Sequence, residues 1–309
     1  MDTGNSYPVS SDEIGLTTFD VILGFDMETD IGSYTTFYEG VTHGTEPILA
    51  VLEKHGVPAT FYWTGHAAEN NPAMVLKVAQ AGHETGCHGL LHETLGDPIF
   101  PLPNNWPILP TEVAGRLEQA TRIIRDICGH PPVSFRCPRL WGSTQVVNVL
   151  EALGYISDAS LPLYFYGEPI VPYHPSADDW TKPGSLRLVE IPNFCDLDMA
   201  SNDDYQRDRD QWPLFRTKDA AALMEKADGF LAHVTSRGQR PVLCFYFHPW
   251  EFHPMPQGSI DFGECEVKPL AFIVENCGPY ALAQFDELCR LLKVRGARFI
   301  TAGDLAREY

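Results

Sequence analysis

The chain has 309 residues, 44% of them hydrophobic and 20% charged, enough to bury one large α/β core or two smaller ones. Its formal net charge of −19 repels phosphate backbones and leaves no basic stripe, which excludes nucleic acid as a partner. No apolar run approaches the roughly 18–20 residues of a membrane span, and the polar first 18 residues lack the basic start and apolar stretch of a secretory signal.

Residues 1–18 read as an N-terminal extension and 19–309 as a single domain, because no repeat, low-complexity tract or linker divides them. Short apolar runs alternate with helical patterns, the signature of βα units and parallel strands. The first strand is expected over 19–25. A helix follows over 45–55, with Ile48, Leu49, Val51 and Leu52 on its apolar face and Gly56 as its stop. A strand over 59–63, a helix over 72–81 ending at Gly82, and a strand over 84–88 come next. The helix over 111–128 starts at Thr111 behind Pro110 and ends at Gly129. A short strand over 134–136, a helix over 145–153 and a strand over 156–158 continue the alternation. Apolar strands over 186–191 and 242–247 each end in proline. A helix over 281–295, a last strand over 298–300 and a short terminal helix complete the chain. Roughly seven strands suit a (β/α) barrel better than an open sheet. Two long stretches, 97–110 and 200–217, break the pattern and are rich in Pro, Asp and aromatic residues. They either wall a cleft or pack on the barrel as surface excursions. Eight scattered cysteines without a C-x-x-C pair read as reduced, mostly buried thiols in a cytoplasmic protein.

The polar residues of interest fall where these strands end, and in parallel barrels the C-terminal strand ends form the active-site face. The first strand delivers Asp26, Glu28 and Asp30, the third His88 and His92, the fourth Arg136, and the strand over 242–247 delivers His248. Two imidazoles four residues apart plus one carboxylate leave an open position on a metal, the pattern of catalytic zinc. Such a metal acidifies water and polarises a carbonyl. A second carboxylate could then take the proton and His248 could protonate a leaving nitrogen. Taken singly, each motif also has a structural reading, since strand-end Asp residues often cap helices or turns.

In order, these segments resemble the five motifs of the polysaccharide deacetylase family, also called the NodB or carbohydrate esterase 4 family. Gly24-Phe25-Asp26-Met27-Glu28-Thr29-Asp30 is similar to the first, T-F-D-D-G. His88-Gly89-Leu90-Leu91-His92 matches H-S/T-x-x-H. Arg136-Cys137-Pro138-Arg139-Leu140-Trp141-Gly142 is close to R-x-P-x-G. Asp179-Trp180 resembles the D-W pair, and Phe245-Tyr246-Phe247-His248-Pro249 resembles L-x-x-H-P. The likeness runs from about residue 19 to 305.

The resemblance implies a distorted (β/α)7 barrel with Asp26 as general base and Glu28, His88 and His92 as ligands of a divalent metal, Zn2+ by preference. It implies that Arg136 holds Asp26, that His248 is the general acid with Asp179 holding its charged form, and that Trp180, Pro138 and Trp141 line a substrate pocket. The first motif departs from the family pattern, with Met27 in place of its second aspartate. Asp30 therefore stays a rival of Glu28 for the metal. This D-x-E arrangement and Leu188-Val189-Glu190-Ile191-Pro192 look like the subgroup containing cyclic imidases, an allantoinase and an atypical peptidoglycan deacetylase. Three functions follow as expectations. The favoured one is hydrolysis of a non-peptide carbon–nitrogen bond in a small or short-oligomer amide, such as a cyclic imide or ureide. The second is N-deacetylation of N-acetylated sugars, and the third is an inactive carbohydrate-binding barrel. A homo-oligomer is the expected assembly.

Overall fold

Strand β1 (Asp20–Met27) is buried along its whole length, and its alternation sets up the molecule. Val21, Leu23, Phe25 and Met27 join the large apolar cluster beneath the surrounding helices, whereas Ile22 belongs to a second, inner cluster. Successive side chains of a strand point to opposite faces. Gly24 and Asp26 therefore share the inner face with Ile22. In the computed structural model, which describes residues 18–102 and 105–309, the expected N-terminal extension lies outside the described residues except for Thr18.

Around β1 an all-parallel sheet curls in the order β7 (Val242–Phe247), β1, β2 (Thr60–Trp63), β3 (Glu84–Cys87), β4 (Ser134–Phe135), β5 (Ser157–Asp158), β6 (Val189–Glu190). A small antiparallel hairpin of β8 (Ile260–Asp261) and β9 (Glu266–Val267) stands apart from it. The eighth strand of the sheet, β10 (Arg298–Phe299), pairs with the start of β1. This is the distorted (β/α) barrel expected from the alternation of elements. Among the described residues no ladder joins β6 to β7. A side chain bridges that seam instead: Gln211 Nε2 donates to the carbonyls of Cys244 in β7 at 2.8 Å and of Phe194, beyond β6, at 3.3 Å.

The helices are α1 (Thr45–His55), α2 (Gly65–Asn70), α3 (Pro72–Gln80), α4 (Val113–Cys128), α5 (Thr144–Leu153), α6 (Ala220–Ser236), α7 (Pro279–Val294) and α8 (Ala302–Ala306), besides single-turn pieces. Three end as the glycines predict: Gly56, Gly129 and Gly154 all adopt the left-handed conformation that closes a helix. Helix α6 is absent from the sequence reading, although Asp219 caps it by accepting from Ala222 N at 2.8 Å. The strand expected over 186–191 shrinks to Val189–Glu190. No helix among the described residues is long and apolar enough to cross a membrane.

The barrel floor is apolar. Ile22, Tyr62, Ala159, Val189, Ile191, Val242 and Cys244 meet Ile300, Ala302 and Leu305 from the C-terminal segment. Glu84 locks that segment in place, accepting from Thr60 Oγ1 at 2.8 Å, Ser134 Oγ at 2.5 Å and Gly303 N at 3.1 Å. At the opposite end the two long loops meet each other. Phe100 packs edge-on against Trp141 with centroids 5.2 Å apart, Tyr205 lies 6.0 Å from Phe100, and the Arg207 guanidinium lies 5.2 Å over the same ring.

Candidate active site

Above the apolar floor the inner face turns polar. Arg136, fully buried, lies across the barrel and is held on every side. Its Nη1 donates to Asp26 Oδ1 at 2.9 Å, Nε to Ala159 O at 3.2 Å and Nη2 to Phe245 O at 3.2 Å, and its Cζ sits 4.4 Å over the Tyr62 ring. Burial works against the Arg136 charge, but Asp26 and its other neighbours outweigh it and raise its pKa, so the guanidinium stays ionised. Gly24 makes the arrangement possible, since a Cβ there would stand 2.3 Å from Arg136 Nη1 and 2.8 Å from Phe245 O.

One step further up, Glu28, His88 and His92 converge. All three are buried, and one donor atom from each lies within 4.8 Å of the others, the one such group among the described residues. His88 Nδ1 donates to Arg136 O at 2.7 Å, which assigns the proton to Nδ1 and turns the Nε2 lone pair toward the cluster. Nε2 of His88 lies 3.6 Å from Glu28 Oε2 and 3.9 Å from Asp26 Oδ2, and His92 Nε2 contacts Glu28 Oε2 directly. Burial pushes Glu28 up, but His92, His88 and His248 outweigh it and hold the carboxyl well below its ordinary range. Burial lowers His92 to about 4. An ionised carboxylate and neutral imidazoles are the protonation states of metal ligands. Glu28 Oε2 and His88 Nε2 are both buried without a hydrogen-bond partner, a costly state in a dry interior. A cation coordinated between them would satisfy both, so the residues fit a metal.

Asp30, the rival ligand, is committed elsewhere: its oxygens accept from Glu39 N at 2.9 Å and Gly40 N at 2.8 Å, tying down the turn after β1. His248 approaches the cluster from β7, with Nε2 3.9 Å from Glu28 Oε1. Its Nδ1 faces Glu251 Oε1 at 3.0 Å. Glu251 Oε2 accepts from Arg216 Nε at 2.5 Å and Trp212 Nε1 at 3.1 Å, and all three groups of this chain are half-buried or buried. Arg216 is itself anchored by the carbonyls of Phe272, Ile273 and Glu275 at 2.7–2.8 Å. Burial lowers the His248 pKa, but Glu251 and Glu28 outweigh it and the net shift is upward.

The expected partner of His248 is therefore corrected. Asp179 is exposed, and its Oδ1 accepts from Thr181 N and Oγ1 at 3.0 and 2.7 Å. A carboxylate three residues along the same turn, Glu251, takes the place expected for it because the turn after His248 folds back on itself. Trp180 packs against Gly142, whose added Cβ would meet the ring at 2.6 Å, and against Tyr166 at 5.6 Å. Pro138 and Trp141 are buried. The second long loop adds residues that sequence reasoning missed. Trp212 stands edge-on to His248 at 5.7 Å, and Asp210, raised to about 7 by burial, accepts from the Tyr246 hydroxyl. Beside the barrel, adjacent register places Asp158 opposite Glu190, both fully buried. Burial raises both, Asp158 to about 6 and Glu190 well above its ordinary value, and they share a proton.

Fold and site together define a (β/α) barrel with a candidate metal centre at the strand ends. Residues 28–157 match the family model described as polysaccharide deacetylase. A peptidoglycan deacetylase from Helicobacter pylori is 29% identical over 169 residues, 50% of this chain and 54% of that protein. Among solved structures, a Mycobacterium smegmatis protein put forward as a polysaccharide deacetylase aligns with TM-score 0.60 at 20% identity, covering 99% of this chain and 94% of the other. An allantoinase structure aligns with the same TM-score at 14% identity, covering 98% and 97%. The chain belongs to the polysaccharide deacetylase family. It spans about half the length of the curated relatives it matches, 46% and 54% for two of them.

Proposed function

We propose that the protein is a metal-dependent hydrolase of carbon–nitrogen bonds other than peptide bonds, acting on a small or short-oligomer amide such as a cyclic imide or ureide. The observation that carries this is the convergence of two orphaned buried donor atoms, Glu28 Oε2 and His88 Nε2, with His92, Asp26 and His248 at one end of the barrel. Glu28, His88 and His92 would hold the cation, by preference zinc. When bound, it supplies Lewis acidity and makes a water acidic enough to be deprotonated near neutral pH. Asp26 takes that proton on Oδ2, while Arg136 fixes Oδ1 and keeps the carboxylate ionised. His248 delivers a proton from Nε2 to the leaving nitrogen, oriented through Nδ1 by Glu251. Arg136 and Glu251 are positioning residues in this scheme, and Asp179 has no part in it.

The meeting of the two long loops over Trp141 narrows the cleft and supports a small substrate over a polymer. The deacetylase name of the curated relative favours a second reading, removal of acetyl from N-acetylated sugars. All eight cysteines are unpaired thiols, which supports a reducing, cytoplasmic setting and a single domain from residue 19 onward that needs no disulfide. Incubation of the zinc-loaded protein with chito-oligomers, succinimide and allantoin separates the readings, because acetate release marks the deacetylase and ring opening without acetate marks the small-amide enzyme. The metal assignment has its own check: His88→Ala should lower bound zinc and hydrolysis together, and a zinc-free variant with wild-type turnover would remove it.

A further inference from the structure

Arg139 has no role in that scheme, yet it occupies a costly place. It follows Pro138 with φ of 61°, and Leu140 continues at 59°. Two successive side chains in the left-handed region cost about 1 kcal/mol or more each, and such strain concentrates at working sites. The guanidinium is half-buried, donates from Nη1 to His92 O at 3.1 Å and lies 5.7 Å over the Trp141 ring. Burial lowers its pKa, and of the groups that pull it back the nearest in effect is Glu28, followed by Tyr34, Cys137 and Glu93. Arg139 in turn is among the charges that disfavour protonation of His92. The side chain thus shares the space of the metal ligands.

Charge bookkeeping gives that position a meaning. Asp26, Glu28 and Glu93 face Arg136 and Arg139, and Glu251 is matched by Arg216. The lining therefore carries one surplus negative charge, and a divalent cation converts it to one surplus positive charge. Without Arg139 the loaded cleft would be neutral. A guanidinium beside a divalent cation is repelled by it, more strongly in a dry site than in water. A negative group on the incoming molecule offsets that repulsion. The chain as a whole, at −19, repels anions, so an anionic substrate needs a local cation to hold it.

We propose that Arg139 is the anion-recognition residue of this cleft and that the amide substrate carries a carboxylate, gripped by the planar guanidinium fork. The proposal rests on the hydrolase reading and names its substrate class. The competing view is that Arg139 only braces the loop of His92 through its carbonyl.

Calorimetric binding of succinamate and of the neutral analogue succinamide, with and without zinc, tests it in the wild type, Arg139→Met and Arg139→Lys. The wild type should bind succinamate about ten- to a hundredfold more tightly than succinamide, the range expected for one charge-assisted contact. Arg139→Met should lose that preference while retaining its zinc stoichiometry and unfolding midpoint, and Arg139→Lys should keep part of it. Equal binding of both probes by the wild type, an Arg139→Met variant that keeps the preference, or one that sheds its zinc each overturns the proposal. A wild type that takes up no zinc sinks the hydrolase reading instead, and the metal-free titrations then still decide whether Arg139 selects the carboxylate.

Discussion

The two halves of the site are built by different means. Asp26, Glu28, His88 and Arg136 sit on or just beyond β1, β3 and β4, so ladder register and side-chain alternation place them. The other half is assembled from loops: Asp210, Gln211 and Trp212 come from the second long loop, Glu251 from the turn after β7, and Arg216 from a four-residue helical turn (Leu214–Thr217). The strand-borne half holds the groups that a metal and a base require, and the loop-borne half orients the acid. A strand fixes spacing without help, whereas a loop needs a chain of hydrogen bonds, here from the carbonyls of 272–275 through Arg216 and Glu251 to His248.

The largest expected effect tests the strand-borne half. Asp26→Asn should lower kcat by about 10²–10⁴-fold while bound metal stays constant, because it removes a proton acceptor and spares the ligands. An Asn variant with wild-type turnover would break the assignment of the base. Next comes a paired test of the loop-borne half. Glu251→Gln should lower kcat about 10–10²-fold, a part of what a positioned acid contributes. It should also lower stability by on the order of 3 kcal/mol by leaving buried Arg216 without its carboxylate. Asp179→Asn should change neither kcat nor the unfolding midpoint, and the opposite ranking would restore the aspartate to the role expected from sequence.

Gly24→Ala sharpens the view that β1 is shaped around Arg136. The added methyl meets a guanidinium and a backbone carbonyl, and a cost of about 1–3 kcal/mol in urea denaturation is expected. A neutral result would mean that Arg136 can swing aside. The smallest effect concerns Asp158 and Glu190. Both carboxyls bind a proton more tightly folded than unfolded, so their contribution is complete below the unfolded carboxylate range near pH 4 and is lost as the pH rises through about 6. Asp158→Asn supplies a permanent N–H in place of the shared proton. Denaturation midpoints of the variant should therefore fall less between pH 5 and 8, by about 1–2 kcal/mol in stability. Identical slopes would refute the shared proton.

Much of the strand-borne half was legible in the sequence because its signals are periodic and local. A D-x-E pair at the end of an apolar run shares one strand face, and the histidine pair follows a run ended by Gly86-Cys87. The choice between Glu28 and Asp30 was not legible, since both follow β1 at even spacing from Asp26. It is settled by Glu39 and Gly40, whose amides claim Asp30 from a turn that no periodicity announces. Glu251 lay three residues beyond His248, yet only the folded turn reveals that it reaches back. Helix α6 did carry a signal, Asp219 ahead of Ala220-Ala221-Ala222-Leu223-Met224, a capping residue followed by strong helix formers. Its neighbourhood of aspartates and prolines drew it into the loop reading.

The pairing of β1 has a consequence for how the molecule comes together. The strand that carries Asp26 is zipped along Asp20–Phe25 to a segment more than 200 residues away and, at its foot, to Arg298–Phe299. Such distant partners make for slow folding, because long stretches of chain must be closed before the contacts reward it. During synthesis the two histidines are already present while their carboxylate neighbour still waits for its flanking strands. A metal pocket of full geometry is thus a late event in the life of the nascent chain, and early fragments hold imidazoles without a cage.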